Sequence, residues 1–144
     1  YNPLIRPGGN AHKFAQSVVL RLRPGALLNE KYQSIPRHEA SVYSRETIVN
    51  LVKNKMTGSD RQTVTFTIRP NKGVDVIYDT SLMAQELGII AKGGAWYTIF
   101  DPKTGEQLEK VQGIANVMTY LEDNPEYLKG LADYIYEEVT KDEI

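Results

Sequence analysis

The sequence of 144 residues contains no cysteine, only two histidines and no apolar run of membrane-spanning length. Without cysteine, a disulfide framework, a thiolate zinc site and cysteine catalysis are excluded. A membrane helix needs about 20 consecutive apolar residues, so no membrane segment is predicted, and we expect a cytoplasmic location. His12 and His38 lie in loop-like sequence with nothing to bring them together, which gives little support to a histidine-dependent hydrolase. No metal-binding residue is predicted.

The chain also lacks a loop that could cradle a nucleotide phosphate. It has no G-x-x-x-x-G-K-[ST] motif and no G-x-G-x-x-G after a predicted strand. Gly8-Gly9 and Gly93-Gly94 lack the downstream lysine and hydroxyl that hold phosphates and Mg²⁺ in such loops. The chain is therefore not predicted to hydrolyse a nucleotide alone. With Tyr1 as its first residue, it is predicted to be a fragment of a longer protein.

What the sequence does have is a strong separation of charge. Residues 1–72 carry twelve basic and four acidic side chains, a net charge of +8. Residues 73–144 carry five basic and fourteen acidic side chains, a net charge of −9. A basic half suggests a polyanionic partner, whereas chance segregation of surface charge is the alternative.

The periodicity of apolar residues predicts two different parts. The first begins with a loop or flexible arm over 1–13, followed by a strand over 16–23 that Pro24-Gly25 ends. Residues 25–44 are predicted to be mostly loop. Two further strands, over 46–56 and 62–69, are predicted to form an antiparallel hairpin, with Val64, Phe66 and Ile68 facing inward. In the second, Asp79 is predicted to cap a helix ending at Gly88, residues 89–100 to form one or two strands, and Ile114 and Pro125 to begin two amphipathic helices. The fold class is α/β, divided into residues 1–75 and a small α+β domain of residues 76–144.

Three local features are candidates for function. Lys53 and Lys55 share one strand face, where two ammonium groups repel unless an anion lies between them; the alternative is a solvated edge that discourages aggregation. Gly8-Gly9, beside Arg6, could approach a phosphate closely or form an ordinary turn. The aromatic pair at 96–97 could stack bases, but a place in the core is favoured.

Three segments, in this order, resemble the RecA recombinase family. Residues 8–14 (Gly-Gly-Asn-Ala-His-Lys-Phe) are similar to the end of the family's second DNA-binding loop. Residues 52–55 (Val-Lys-Asn-Lys) are similar to a family strand. Residues 94–97 with 121–126 (Leu-Glu-Asp-Asn-Pro-Glu) look like its small C-terminal domain. The resemblance extends over nearly the whole chain, so residues 1–75 would be the C-terminal part of a RecA-type ATPase core.

The resemblance implies a recombinase that binds single-stranded DNA, forms a helical homo-oligomeric filament with ATP and Mg²⁺, and exchanges strands with a homologous duplex. ATP and Mg²⁺ would be bound mainly by residues absent from this chain. The implied roles are DNA contacts for Arg6, Gly8, Gly9, Asn10 and, towards the duplex, Lys92; trans contacts to a neighbour's ATP γ-phosphate for Lys53 and Lys55; and a subunit interface for Lys13 and Phe14.

The chain departs from the family pattern at several places. Val19 stands where the family often has an arginine, which counts against an interface contact there. Ile114 stands where the family has a lysine, which is expected to weaken the duplex gateway. Residues 27–44 are longer than usual, which suggests a phage or atypical member. The alternative function is a stand-alone basic module that binds nucleic acid without ATP.

Overall fold

The computed structural model describes residues 11–38, 41–56 and 62–141. The elements in chain order are α1 (Ala11–Ala15), β1 (Val18–Leu28), β2 (Ser34–Ile35), β3 (Ser44–Asn54), β4 (Thr63–Arg69), β5 (Gly73–Val74), α2 (Val76–Glu86), β6 (Ile90–Gly93), β7 (Trp96–Phe100), β8 (Gln107–Gln112), α3 (Ile114–Asp123) and α4 (Pro125–Lys141). The fold class is confirmed as mixed α/β with antiparallel sheets. No helix in the described ranges is both long and apolar enough to cross a membrane.

The first five strands form one antiparallel sheet in the order β2-β1-β3-β4-β5. The predicted end of β1 at Pro24-Gly25 is wrong, because the strand continues to Leu28 through a register irregularity between Pro24 and Leu27. Gly25 is needed there: a Cβ would lie 2.8 Å from the Cβ of Glu46 on β3. Within 25–44, strands take only residues 25–28, 34–35 and 44, so the described part of this segment is mostly loop, as predicted. The predicted arm over 1–13 ends in α1.

The hairpin of β3 and β4 is confirmed, with pairing from Arg45↔Ile68 to Asn50↔Thr63. Its predicted turn at 57–60 lies outside the described residues. The predicted inward face of β4 is wrong, since Val64 is 58% exposed whereas Thr67 is 1% exposed. Thr67 lies next to the start of α2, where its carbonyl accepts a hydrogen bond from the N–H of Asp75 at 2.8 Å.

The N-terminal cap of α2 is Asp75, not the predicted Asp79. The Asp75 carboxylate accepts a hydrogen bond from the N–H of Tyr78 at 3.3 Å, as an N-cap side chain does. Asp79 lies in the first turn, and its carboxylate accepts from the N–H of Thr67 instead, at 3.1 and 3.2 Å to its two oxygens. The helix ends at Glu86, and Gly88 follows with a φ of +74°.

The second part is a three-stranded antiparallel sheet, β6-β7-β8, with α2, α3 and α4. Residues 89–100, predicted to form one or two strands, form two, and both predicted late helices are confirmed. β8 was not predicted, because its residues are almost all exposed and show no apolar alternation. Most of the buried apolar side chains form one cluster, which also includes two residues from the first part, Leu28 and Tyr32.

The sheet of β1, β3 and β4 leaves an apolar face in solvent. Val18, Leu20 and Leu22 alternate along β1 and are 45%, 53% and 60% exposed. The register Leu22↔Val49↔Val64 continues that face across β3 to β4, since directly paired residues point to the same side of a sheet.

Candidate functional site

The predicted lysine pair lies at the end of β3. Lys53 pairs with Val19 of β1, and Lys55 follows directly after the strand. Partial burial lowers the pKa of Lys53, and the positive charge of Lys55 lowers it further. The charge of Lys55 thus disfavours the charged form of Lys53, and a bound anion would offset this effect.

Lys55 connects this pair to α1. Its Nζ donates a hydrogen bond to the carbonyl of Phe14 at 2.7 Å, and its N–H donates to the carbonyl of Ser17 at 2.9 Å. Phe14 lies in the last turn of α1, where carbonyls have no partner within the helix and favour a cation. The Phe14 ring is 76% exposed beside these contacts. The structure thus brings together Phe14, Lys53 and Lys55.

Several predicted site residues lie outside the described residues. These are Arg6, Gly8, Gly9 and Asn10, together with the side chains of Lys13 and His12. Their implied roles in DNA binding and at the subunit interface stay predictions. His38 is described and is exposed.

Lys92 lies on the other sheet, on β6, opposite Tyr97 of β7. Its ammonium is 5.6 Å from the centroid of the Tyr97 ring, which is within the range of a cation–π contact. Lys92 also lines a cleft of about 650 Å³ together with Lys31 and the segment 113–116 at the start of α3. Ile114 is part of that segment.

The two aromatic residues at 96–97, for which base stacking and a place in the core were considered, differ in burial. Tyr97 is in the core, as favoured, with 6% of its surface exposed. Trp96 is 47% exposed, and the ammonium of Lys110 lies 5.7 Å from its ring centroid. The exposed Trp96 is therefore not part of the core.

The sequence analysis missed a polar cluster that joins the two parts of the chain. The Asp75 carboxylate accepts from Arg69 Nε at 2.6 Å and from the Tyr32 hydroxyl at 3.0 Å, and Arg69 Nη2 donates to the Tyr32 oxygen at 2.5 Å. The Tyr32 ring stacks on Tyr78, with centroids 4.2 Å apart. The one available signal was Asp75 immediately before an apolar helical run, the position of an N-cap.

Burial is the largest influence on the pKa of the Tyr32 hydroxyl in this cluster. It raises the pKa of the Tyr32 hydroxyl, the hydrogen bond from Arg69 lowers it, and the negative charge of Asp75 raises it again, with a net upward shift. The hydroxyl therefore keeps its proton and donates it to Asp75. Among residues 11–38, 41–56 and 62–141, no three metal-ligating side chains converge.

Comparison with known proteins gives consistent relatives. A family model described as the RecA C-terminal domain matches residues 82–140. Protein RecA of Wolbachia sp. subsp. Drosophila simulans (strain wRi) is 34% identical over 125 residues, which are 87% of this chain and 31% of that protein. Protein RecA of Acinetobacter baylyi (strain ATCC 33305 / BD413 / ADP1) is 36% identical over 125 residues, 87% of this chain and 32% of that protein.

A third relative, Protein RecA of Streptococcus agalactiae serotype III (strain NEM316), is 34% identical over 124 residues, 86% of this chain and 30% of that protein. The chain thus spans about a third of the length of the curated relatives it matches. These similarities extend over both sheets and the late helices. The chain belongs to the RecA family and corresponds to its C-terminal portion.

Proposed function

We propose that the chain is part of a RecA-like recombinase that binds single-stranded DNA, assembles into ATP-dependent filaments, and promotes homologous pairing and strand exchange. The observation that carries this proposal is the grouping of Lys53, Lys55 and Phe14 at one end of the first sheet. This end of the sheet carries two lysines that could bind an anion and, beside them, the exposed side chain of Phe14.

The lysine pair fits a phosphate of a nucleotide held by a neighbouring subunit. Lys53 and Lys55 repel each other, so a multiply charged anion gains from both ammonium groups at once. ATP with Mg²⁺ would supply a terminal phosphoryl group whose negative charge grows during transfer. The lysines would stabilise that charge in trans, as an arginine finger does.

Coupling to DNA would follow from α1. The Lys55–Phe14 hydrogen bond joins the proposed phosphate contact to the segment directly after Gly8, Gly9 and Asn10. In this proposal those three residues and Arg6 contact DNA phosphates, and Lys13 and Phe14 form the subunit interface. Residues 1–75 complete the ATPase core, while residues 76–144 form a small domain whose Lys92 meets duplex DNA.

The test uses Lys53→Ala and Lys55→Ala in the longest natural form of the protein. We expect each variant to lower DNA-dependent ATP turnover, by on the order of 10³-fold if the lysine acts as a finger. Lys72→Ala is the matched control, because Lys72 is an exposed lysine in the turn between β4 and β5. Normal turnover in both variants would show that the trans contact is wrong.

A stand-alone nucleic-acid-binding module is the second candidate, favoured by the net charge of +8 in residues 1–72. The dependence of single-strand binding on salt discriminates between them. Each phosphate contact steepens the log–log slope by about 0.7 for single strands. Tight binding that is unaffected by ATP, and no filament at any nucleotide concentration, would favour the module.

A further inference from the structure

The cleft beside Lys92 has a second lysine that comes from the other part of the chain. Lys92 lies on β6, whereas Lys31 lies in the turn of residues 29–33 between β1 and β2. The cleft measures about 650 Å³, and its other walls are the β6–β7 turn and the segment 112–116. Among the residues that the structure describes, two lysines and no carboxylate line it.

The turn that carries Lys31 is closed by its own hydrogen bonds. The Asn29 side-chain oxygen accepts from the N–H of Lys31 at 2.9 Å and from the N–H of Gln33 at 3.0 Å. The Asn29 N–H donates to the Gln33 carbonyl at 3.0 Å, and the Asn29 carbonyl accepts from the Tyr32 N–H at 2.9 Å. An asparagine that satisfies nearby backbone donors in this way stabilises a tight turn. The backbone of Lys31 is therefore fixed.

The next residue anchors the turn to the second part of the chain. Tyr32 has a φ of +56° and is 8% exposed. Its ring stacks on Tyr78 of α2, and its hydroxyl donates to Asp75. This anchor holds Lys31 against the cleft that Lys92 lines. The position of Lys31 is thus set by the buried stacking of the adjacent Tyr32 on Tyr78.

Both lysines can offer their charge to a ligand. Each is exposed, and within the described ranges neither ammonium lies within 4.0 Å of a carboxylate oxygen. Most of the cleft is lined by residues 73–144, which carry a net charge of −9, so its two lysines form a cationic spot beside an acidic part of the chain. An anion would be attracted to the cleft and repelled by much of the surrounding surface.

We propose that Lys31 and Lys92 together contact the phosphate backbone of duplex DNA in this cleft, with Lys31 as an additional DNA-binding residue. The proposal rests on the proposed function, which supplies DNA as the partner. An exposed lysine gains little from one small anion in water. A polyanion releases condensed counterions for every phosphate that a lysine neutralises, so two exposed lysines favour nucleic acid over free phosphate. Ile114, which also lines the cleft, is uncharged, so Lys31 supplies a positive charge in addition to that of Lys92.

The experiment measures duplex DNA binding by fluorescence anisotropy across a salt series, with the longest natural form of the protein. For Lys31→Ala and for Lys92→Ala, we expect affinity at about 50 mM salt to fall on the order of tenfold and the log–log slope to lose about 0.9. The double variant should lose about twice that slope. Lys103→Ala is the matched control, because Lys103 is an exposed lysine that does not line the cleft. Circular dichroism checks that each variant is folded.

The possible outcomes separate this proposal from the one on which it depends. If Lys31→Ala keeps the wild-type slope while DNA-dependent ATP turnover and filaments are present, the role of Lys31 is wrong and the recombinase function stands. If the unaltered protein shows neither filaments nor duplex binding, both fail. If inorganic phosphate displaces duplex DNA where chloride of equal ionic strength does not, the cleft takes a small anion and the proposal is overturned.

Discussion

The two sheets of this chain differ in how deeply their apolar side chains are buried. In the second part, Ile90 and Ile99 from the sheet are 1% and 0% exposed, and Leu121 and Leu131 from α3 and α4 are fully buried. In the first part, Leu20 and Leu22 alternate just as regularly along β1 but are more than half exposed. Similar sequence patterns therefore accompany a closed core in one region and an open face in the other.

The difference teaches what alternation in a strand reports. Alternation assigns side chains to two faces of a sheet, and it does not say that either face is covered. The second sheet is covered because α2, α3 and α4 all pack in the same unit. The described helices contact the first sheet mainly at β4, where α2 begins. Substitutions can measure this contrast.

The largest expected effect comes from truncating the closed core. Leu121→Ala should lower the free energy of unfolding by about 4 kcal/mol, because a fully buried leucine leaves a cavity as well as losing its transfer free energy. The same change at Leu22, which is 60% exposed, should cost less than about 1 kcal/mol. Urea unfolding followed by circular dichroism measures both. Equal losses would mean that the two regions do not differ as described.

The next effect tests the cluster that joins the two regions. Asp75→Ala should cost about 3 kcal/mol, because it removes the cap of α2 and leaves Arg69 and the Tyr32 hydroxyl without their shared acceptor. Glu122→Ala is the matched control: its carboxylate lies 3.9 Å from Arg69 and its side chain is 50% exposed. A solvated pair of this kind is worth at most about 1 kcal/mol.

A double-mutant cycle with Arg69→Ala sharpens the result. If Asp75 acts through Arg69, the two losses should not add, and the coupling free energy should exceed that between Arg69 and Glu122. Additive losses would mean that Asp75 acts through the cap of α2 and the Tyr32 hydroxyl alone. The Arg69–Asp75 contact would then not tie the sheet to the helix.

The late helices could be predicted from the sequence because their apolar stripes have one period and one side to bury. Val117, Met118, Leu121 and Leu131 are all buried as the stripes indicate. The cap of α2 was misplaced because two aspartates lie one turn apart, at 75 and 79, and periodicity does not distinguish them. In the structure Asp75 accepts from the N–H of Tyr78, whereas Asp79 accepts from the N–H of Thr67 on the first sheet.

Other errors came from long-range contacts. Pro24-Gly25 ordinarily ends a strand, but here Gly25 lets β1 pass close to Glu46 of β3. Lys31 was not predicted as a site residue because it lies in loop-like sequence, directly after Glu30 and without a second lysine nearby. Its place beside Lys92 depends on Tyr32 and Tyr78, which are far apart in the chain and stack in the fold. The lysine pair at 53 and 55 could be found because its two members are only two residues apart in the sequence.

The smallest expected effect concerns Asp79, whose carboxylate lies where α2 meets the first sheet. Burial raises the pKa of Asp79; the hydrogen bonds from Thr67 oppose this, and the charges of Asp75 and Glu46 add to it. The folded state therefore holds the Asp79 proton more tightly than the unfolded chain, whose carboxyl keeps the ordinary value of 3.8. Ionisation then disfavours folding, so this contribution to stability falls as the pH rises from about 3.8 through the folded pKa.

Asp79→Asn should remove that fall, because the amide does not ionise and its oxygen can still accept from the Thr67 N–H. Unfolding free energies at pH 3.5 and 6.5 should show the wild type losing stability relative to the variant across this interval. Asp133→Asn is the matched control, since Asp133 is an exposed aspartate on α4. A wild type that gains stability relative to Asp79→Asn over the same interval would mean that the hydrogen bonds to Thr67 outweigh burial, and that Asp79 fastens α2 to the sheet through its charge.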